Sequence, residues 1–181
     1  MSRTAMEIKT DVSLSFPRAR IFKTYRDRLE DLAPHLPNIR GIKVSSRGDR
    51  PGEVVLVNEW KGGGDVPAVA RAIISESMLS WTDHATWKES TFTVEWRTVV
   101  HAFPGALESS GVNRFIETPT GAIIEFRGTL VCDASKVPGV PRLLARSLNG
   151  TIEKLFVGKI AENLVAVGRG VGKLLELEDG G

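Results

Sequence analysis

This 181-residue chain is poor in the residue types that carry most recognisable chemistry. A single cysteine, Cys132, excludes an internal disulfide and has no local activating partner, so it reads as a small apolar side chain. Only three histidines occur, His35, His84 and His101, and no H-x-H, H-E-x-x-H or Cys/His spacing joins them. A zinc site therefore has no support, and no metal or cofactor is expected. No nucleophile elbow of the form G-x-S-x-G is present. The run GRGVGK at 168–173 falls short of a phosphate loop, which needs glycine where Val167 stands and Ser or Thr where Leu174 stands. With no run of eighteen apolar residues, neither a transmembrane helix nor stable membrane insertion is expected. Lys and Arg number 24 against 22 Asp and Glu, so no charge excess favours nucleic acid as a partner. The opening MSRTAMEIKT lacks the apolar core of a secretory signal, and a cytoplasmic location is the expectation.

What the chain does have is periodicity. Apolar residues make up 41%, enough for the core of one domain over 1–181, with the polar tail 176–181 expected to fray. Ile8, Val12, Leu14 and Phe16 share one parity, the mark of a half-buried strand. Pro17 then opens a helix whose stripe is Ile21, Phe22, Tyr25, Leu29 and Leu32. Pro34 and Pro37 interrupt that run, leaving a short helical turn before the next strand. Strands are expected at roughly 39–48, 52–61, 81–90, 91–103, 107–118 and 121–134, spaced for antiparallel hairpins. Between them, 65–79 reads as a short helix, although ARAIIS suits a strand equally well. From Pro141 to about Leu177 the spacing is helical throughout, and the drift of its apolar stripe predicts a bend or break near Asn149-Gly150 or Gly158.

This order predicts an α+β fold, a strongly curved antiparallel sheet of about seven strands with one long amphipathic helix across its concave face. Where side chains fail to fill the space between them, an apolar cavity remains. Parity selects its walls. Val54, Leu56, Asn58 and Trp60 share one face, as do Phe92, Val94, Trp96, Thr98, Val100 and Ala102, and Ile124, Phe126, Gly128, Leu130 and Cys132. Asn58 and Thr98 are polar positions within apolar rows, where they can orient a ligand or be satisfied by neighbours. Trp81 and Trp87 share a parity that excludes His84, so a Trp-His pocket is disfavoured. The glycines of GRGVGK suit close approach of the helix to the sheet, and Gly62-Gly63-Gly64 suits a turn near a cavity mouth.

On the passages VSLSFPRARIFKTY, LAPHLPNI, GAIIEFRGTLVCDA and VPRLLARSLNGTIEKLFVGKIAENLVAVG, in that order, the chain resembles the START-like superfamily that includes the birch pollen allergen and the polyketide cyclases. With its inserted WKGGGDVPAVARAII, it looks like a bacterial branch of that superfamily. The resemblance implies a helix-grip fold and a hydrophobic small-molecule ligand such as a lipid or polyketide, and it places His35 at the cavity entrance. The candidate ligand-binding residues are thus His35, Asn58, Trp60, Trp96, Thr98, Phe126 and Leu164. Two uses of such a cavity stand side by side. One is a carrier or sensor; the other is an enzyme of the polyketide cyclase/aromatase or hydrolase type, with His35, Asn58 or Thr98 assisting proton transfer. A domain that works through its surface would instead show an apolar patch and no cavity. Oligomeric state is not legible in the sequence.

Overall fold

The computed structural model describes residues 5–64, 68, 71 and 75–181. Strand β1 (Met6–Leu14) leads through Pro17 into helix α1 (Arg18–Asp27), and a 3-10 turn over Glu30–His35 carries the chain to β2 (Ile39–Arg50). Then come β3 (Glu53–Gly62), β4 (Ser80–Lys88), β5 (Thr93–Val100), β6 (Leu107–Thr118), β7 (Gly121–Cys132) and helix α2 (Arg142–Asp179). The expected helix at 65–79 falls mainly outside the described residues; within that range, Glu76–Met78 form one 3-10 turn.

All seven strands form one antiparallel sheet in the order β1-β7-β6-β5-β4-β3-β2. Chain neighbours pair as hairpins from β2 to β7, and the first strand closes onto the last. Two register shifts in β2, between Ile39 and Gly41 and between Val44 and Ser46, mark bulges, which bend a strand and increase its twist. The alternation read from the sequence holds on β3, where Val54, Leu56, Asn58 and Trp60 are buried, and on β7, where Ala122, Ile124, Phe126, Leu130 and Cys132 are. Phe92 departs from it. It stands in the turn before β5, in the left-handed region at φ 49°, and its ring meets Phe22 edge-on at 5.3 Å.

Helix α2 spans 38 residues and runs unbroken through Asn149-Gly150 and Gly158, where the sequence predicts a bend or break. At Gly150 and Gly158 the place a Cβ would occupy is open space, so neither glycine marks a close approach to another element. Further along, Gly168 lies against Val12 and Gly172 against Leu14, which brings the helix onto β1 as the glycine spacing suggested. Its buried residues crowd this C-terminal half (Val167, Gly168, Gly170, Val171, Gly172, Leu174, Leu175), whereas Leu143 near the start is 96% exposed. The tail expected to fray is helical to Asp179. Arg20 donates to Asp179 at 2.8 and 3.1 Å and Arg28 donates to Glu178, tying the helix end to α1 and the turn that follows it. Among the described residues, no helix is long and apolar enough to cross a membrane.

Candidate functional site

Because α2 is held close to the sheet at its C-terminal half, its middle bridges the sheet at a distance, and a cavity of about 220 Å³ lies beneath it. Leu155, Phe156, Lys159, Ile160, Asn163 and Leu164 form the helix side. The sheet side comes from β3 to β7. Asn38, Gly62 and Gly63 line it where β3 ends.

All four tryptophans of the chain line this cavity. Trp60 and Trp81 are directly opposite across β3 and β4, and their rings stack with centroids 5.6 Å apart and planes 10° from parallel. Trp87 sits deeper, edge-on to Phe22 at 5.2 Å and to Tyr25 at 5.0 Å. Trp96 lies over Gly111 and Gly128, which are opposite one another on β6 and β7, and its Nε1 donates to Asn113 Oδ1 at 2.9 Å. These rings give the cavity flat, rigid walls that need little ordering when a ligand binds.

Three polar groupings interrupt the apolar surface. Thr98 and Ser109, opposite across β5 and β6, hydrogen-bond through their hydroxyls. Lys159 stands on the helix side with its Nζ 3.3 Å from Glu162. The third is Asn58 with Asp83, opposite across β3 and β4, where Asn58 Nδ2 donates to Asp83 Oδ2 at 3.1 Å. Burial pushes the Asp83 carboxyl up to about 6, only partly opposed by that hydrogen bond, because the ionised form has lost its water. Asp83 keeps some accessible surface, but it is cavity surface and does not restore bulk hydration. Tyr25 also lines the cavity, and burial followed by the charge of Asp83 raises its phenol well above the ordinary range. Among the described residues, three buried polar atoms around this group lack a hydrogen-bond partner: Asn58 Oδ1, Trp60 Nε1 and Trp87 Nε1.

The structure therefore brings Asn58, Trp60, Trp96, Thr98 and Leu164 to one cavity. It does not bring His35 or Phe126 there. His35 packs its Cβ toward Gly170 of α2 instead of standing at an entrance, because the 3-10 turn that carries it docks on the tight half of the helix. Phe126 has the inward parity but is fully buried in the packed core with Ile124 and Val171. Asp83, Tyr25 and Asn113 also line the cavity, although none is among the candidate ligand-binding residues of the sequence. Asp83 shares the parity of Trp81 and Trp87, which was its available signal.

One arrangement on the outer face imitates a catalytic triad. Thr82 Oγ1 lies 2.7 Å from His101 Nε2, with Glu59 Oε2 3.4 Å from the same nitrogen. A triad needs the acid on the other ring nitrogen, and this histidine is 46% exposed, so the grouping cannot relay a proton in that way.

The architecture is the helix-grip fold. No family model matches the chain, and no curated protein matches it in sequence. Solved structures with this fold include TTHA0849 from Thermus thermophilus (TM-score 0.66, 14% identity, covering 92% of this chain and 97% of that one). The Zhui aromatase/cyclase from Streptomyces sp. R1128 is similar at TM-score 0.59 and 13% identity, covering 92% and 94%. Ara h 8.0201 is similar at TM-score 0.51 and 16% identity, covering 90% and 98%. At these identities the likeness establishes the fold.

Proposed function

We propose that this chain binds a hydrophobic or amphipathic small molecule in the cavity beneath α2, as a carrier or sensor. The observation that carries the reading is the convergence of all four tryptophans on one internal space with few polar groups among them. In this reading Trp60, Trp96 and Leu164 contact the apolar body of the ligand, while Asn58, Thr98 and Asp83 orient it. The single cysteine supports a reducing, cytoplasmic setting. Organic extraction of the purified protein followed by mass spectrometry tests the proposal. A stoichiometric apolar compound that is recovered from the wild type and lost when Val100→Trp fills the cavity supports it; identical extracts from both proteins contradict it.

A second reading, an enzyme of the aromatase/cyclase or hydrolase type, rests on one observation. Asp83 lines the apolar cavity with its carboxyl pushed up to about 6 by burial, where it can take up or release a proton on a bound substrate. The similarity to the Zhui aromatase/cyclase is compatible with it. Turnover of polyketide-like substrates that Asp83→Asn abolishes without loss of binding separates this reading from the first.

A further inference from the structure

Asp83 is a carboxyl placed among tryptophans. Among the described residues its one hydrogen-bond partner is the amide of Asn58, and it makes no ion pair. Lys159, from α2, lines the same cavity but is engaged by Glu162 at 3.3 Å, and the Asp83 carboxyl shows no influence of it. A carboxylate so placed has given up water and received one neutral donor in return, a costly state that an incoming positive charge would relieve. Trp60, Trp81 and Trp87 line the same cavity, Trp60 and Trp81 with their rings stacked 5.6 Å apart, and aromatic rings attract cations through the negative faces of their π-systems. Of the three orphaned polar atoms here, Asn58 Oδ1, on the residue that donates to Asp83, is a further acceptor for a ligand N–H, while Trp60 Nε1 and Trp87 Nε1 are donors that a neutral acceptor on the ligand would meet.

We propose that the cavity selects hydrophobic ligands bearing a protonated nitrogen, with Asp83 as the counter-charge, and rejects ligands that end in a carboxylate. This rests on the cavity-binding reading above and narrows it to a ligand class. The amine nitrogen donates to the free carboxylate oxygen of Asp83 and the apolar body lies between the stacked Trp60–Trp81 pair and the helix residues Phe156 and Ile160. No bond is made or broken.

Affinity for such a ligand depends on pH through Asp83. The other titratable groups that face it are Tyr25 from α1, whose proton is held by burial well above neutrality, and Lys159 from α2, paired with Glu162. His84 is exposed and, as the chain neighbour of Asp83 on β4, points to the opposite face of the sheet. With the free carboxyl titrating at about 6, amine affinity falls about tenfold between pH 7.5 and pH 5, as the carboxylate is lost.

The test uses three probes of one shape, 1-naphthylmethylamine, 1-naphthalenemethanol and 1-naphthoate, titrated by calorimetry into the full-length protein at pH 7.5 and pH 5. The proposal expects the amine to bind about tenfold or more tighter than the alcohol at pH 7.5, the naphthoate to bind weakest, and the amine's advantage to vanish in Asp83→Asn. If the alcohol binds and the amine is no tighter, or its advantage survives in Asp83→Asn, the inference is overturned while the cavity reading stands. If none of the three binds, both fall. Carbon-13 NMR of the wild-type Asp83 carboxyl needs no variant: its titration midpoint moves downward on saturation with the amine, and an unmoved midpoint also overturns the inference.

Discussion

Gly111 and Gly128 stand opposite one another on adjacent strands, and the indole of Trp96 occupies the space that their missing side chains leave. A Cβ on Gly128 would fall 2.7 Å from both the ring and the Ser110 carbonyl oxygen, distances that real Cβ atoms do not reach. Gly128→Ala therefore lifts the indole into the cavity and breaks its bond to Asn113. The expected result is a loss of about 1–3 kcal/mol in urea unfolding, with a shift in tryptophan emission and weakened binding of naphthyl probes.

The long helix offers a paired test with opposite signs. At Gly168 a Cβ would sit 2.9 Å from the stiff, branched side chain of Val12, whereas at Gly158 it would meet nothing within 4 Å. Gly158→Ala is expected to stabilise the protein by about 1 kcal/mol through helix propensity. Gly168→Ala is expected to destabilise it by about 1 kcal/mol net, overpacking outweighing that gain. Thermal unfolding of the two variants checks the sign of each.

These two sites also show what could be read without a structure. Period-2 alternation placed Asn58, Trp60, Trp96 and Thr98 on the inner face correctly, because that periodicity is a property of the strand alone. Parity says nothing, however, about how far the opposing layer stands from each row. Phe126 and Trp96 both point inward, yet the first is sealed under packed structure and the second faces a cavity, since α2 is close to β1 at Gly168 and Gly172 and bridges the sheet at its middle. His35 failed for the same reason, its position depending on where a turn docks against a distant helix. Asp83 was missed differently. Its parity with Trp81 and Trp87 was legible, but parity alone does not show that a carboxyl in an inward row faces a cavity.

Asp83 should leave a signature in the pH dependence of stability. Its folded value, about 6, lies above the ordinary 3.8, so between those values the folded state binds more protons than the unfolded one. Its contribution is fully present below about pH 4 and is lost as pH rises through 6, by roughly 3 kcal/mol. Asp27, Asp49 and Asp179, held low by hydrogen bonds from arginines, act in the opposite sense at lower pH. The difference between wild type and Asp83→Asn isolates the effect: measured by denaturant unfolding, the variant gains on the wild type from pH 4 to pH 6 and the gain levels off by pH 7.

Two side chains of α2 anchor its lifted half to the end of β7. Asn149 Oδ1 accepts from the Ala134 N–H at 2.8 Å, and Glu153 Oε1 accepts from the Cys132 N–H at 3.2 Å. Asn149→Ala leaves a buried donor unmet and is expected to cost about 1–2 kcal/mol and to accelerate amide exchange at Ala134. Glu153→Gln keeps an acceptor oxygen and should leave exchange at Cys132 nearly unchanged. Hydrogen exchange followed by NMR resolves both amides.

Ligand binding in this protein requires an internal space between sheet and helix that accepts an apolar guest. Calorimetric titration of 1-naphthalenemethanol into the wild type and into Val100→Trp, which fills that space from β5, measures this directly. One saturable site is expected in the wild type and none in the variant. Absence of binding to the wild type, or equal binding to both proteins, would contradict that expectation.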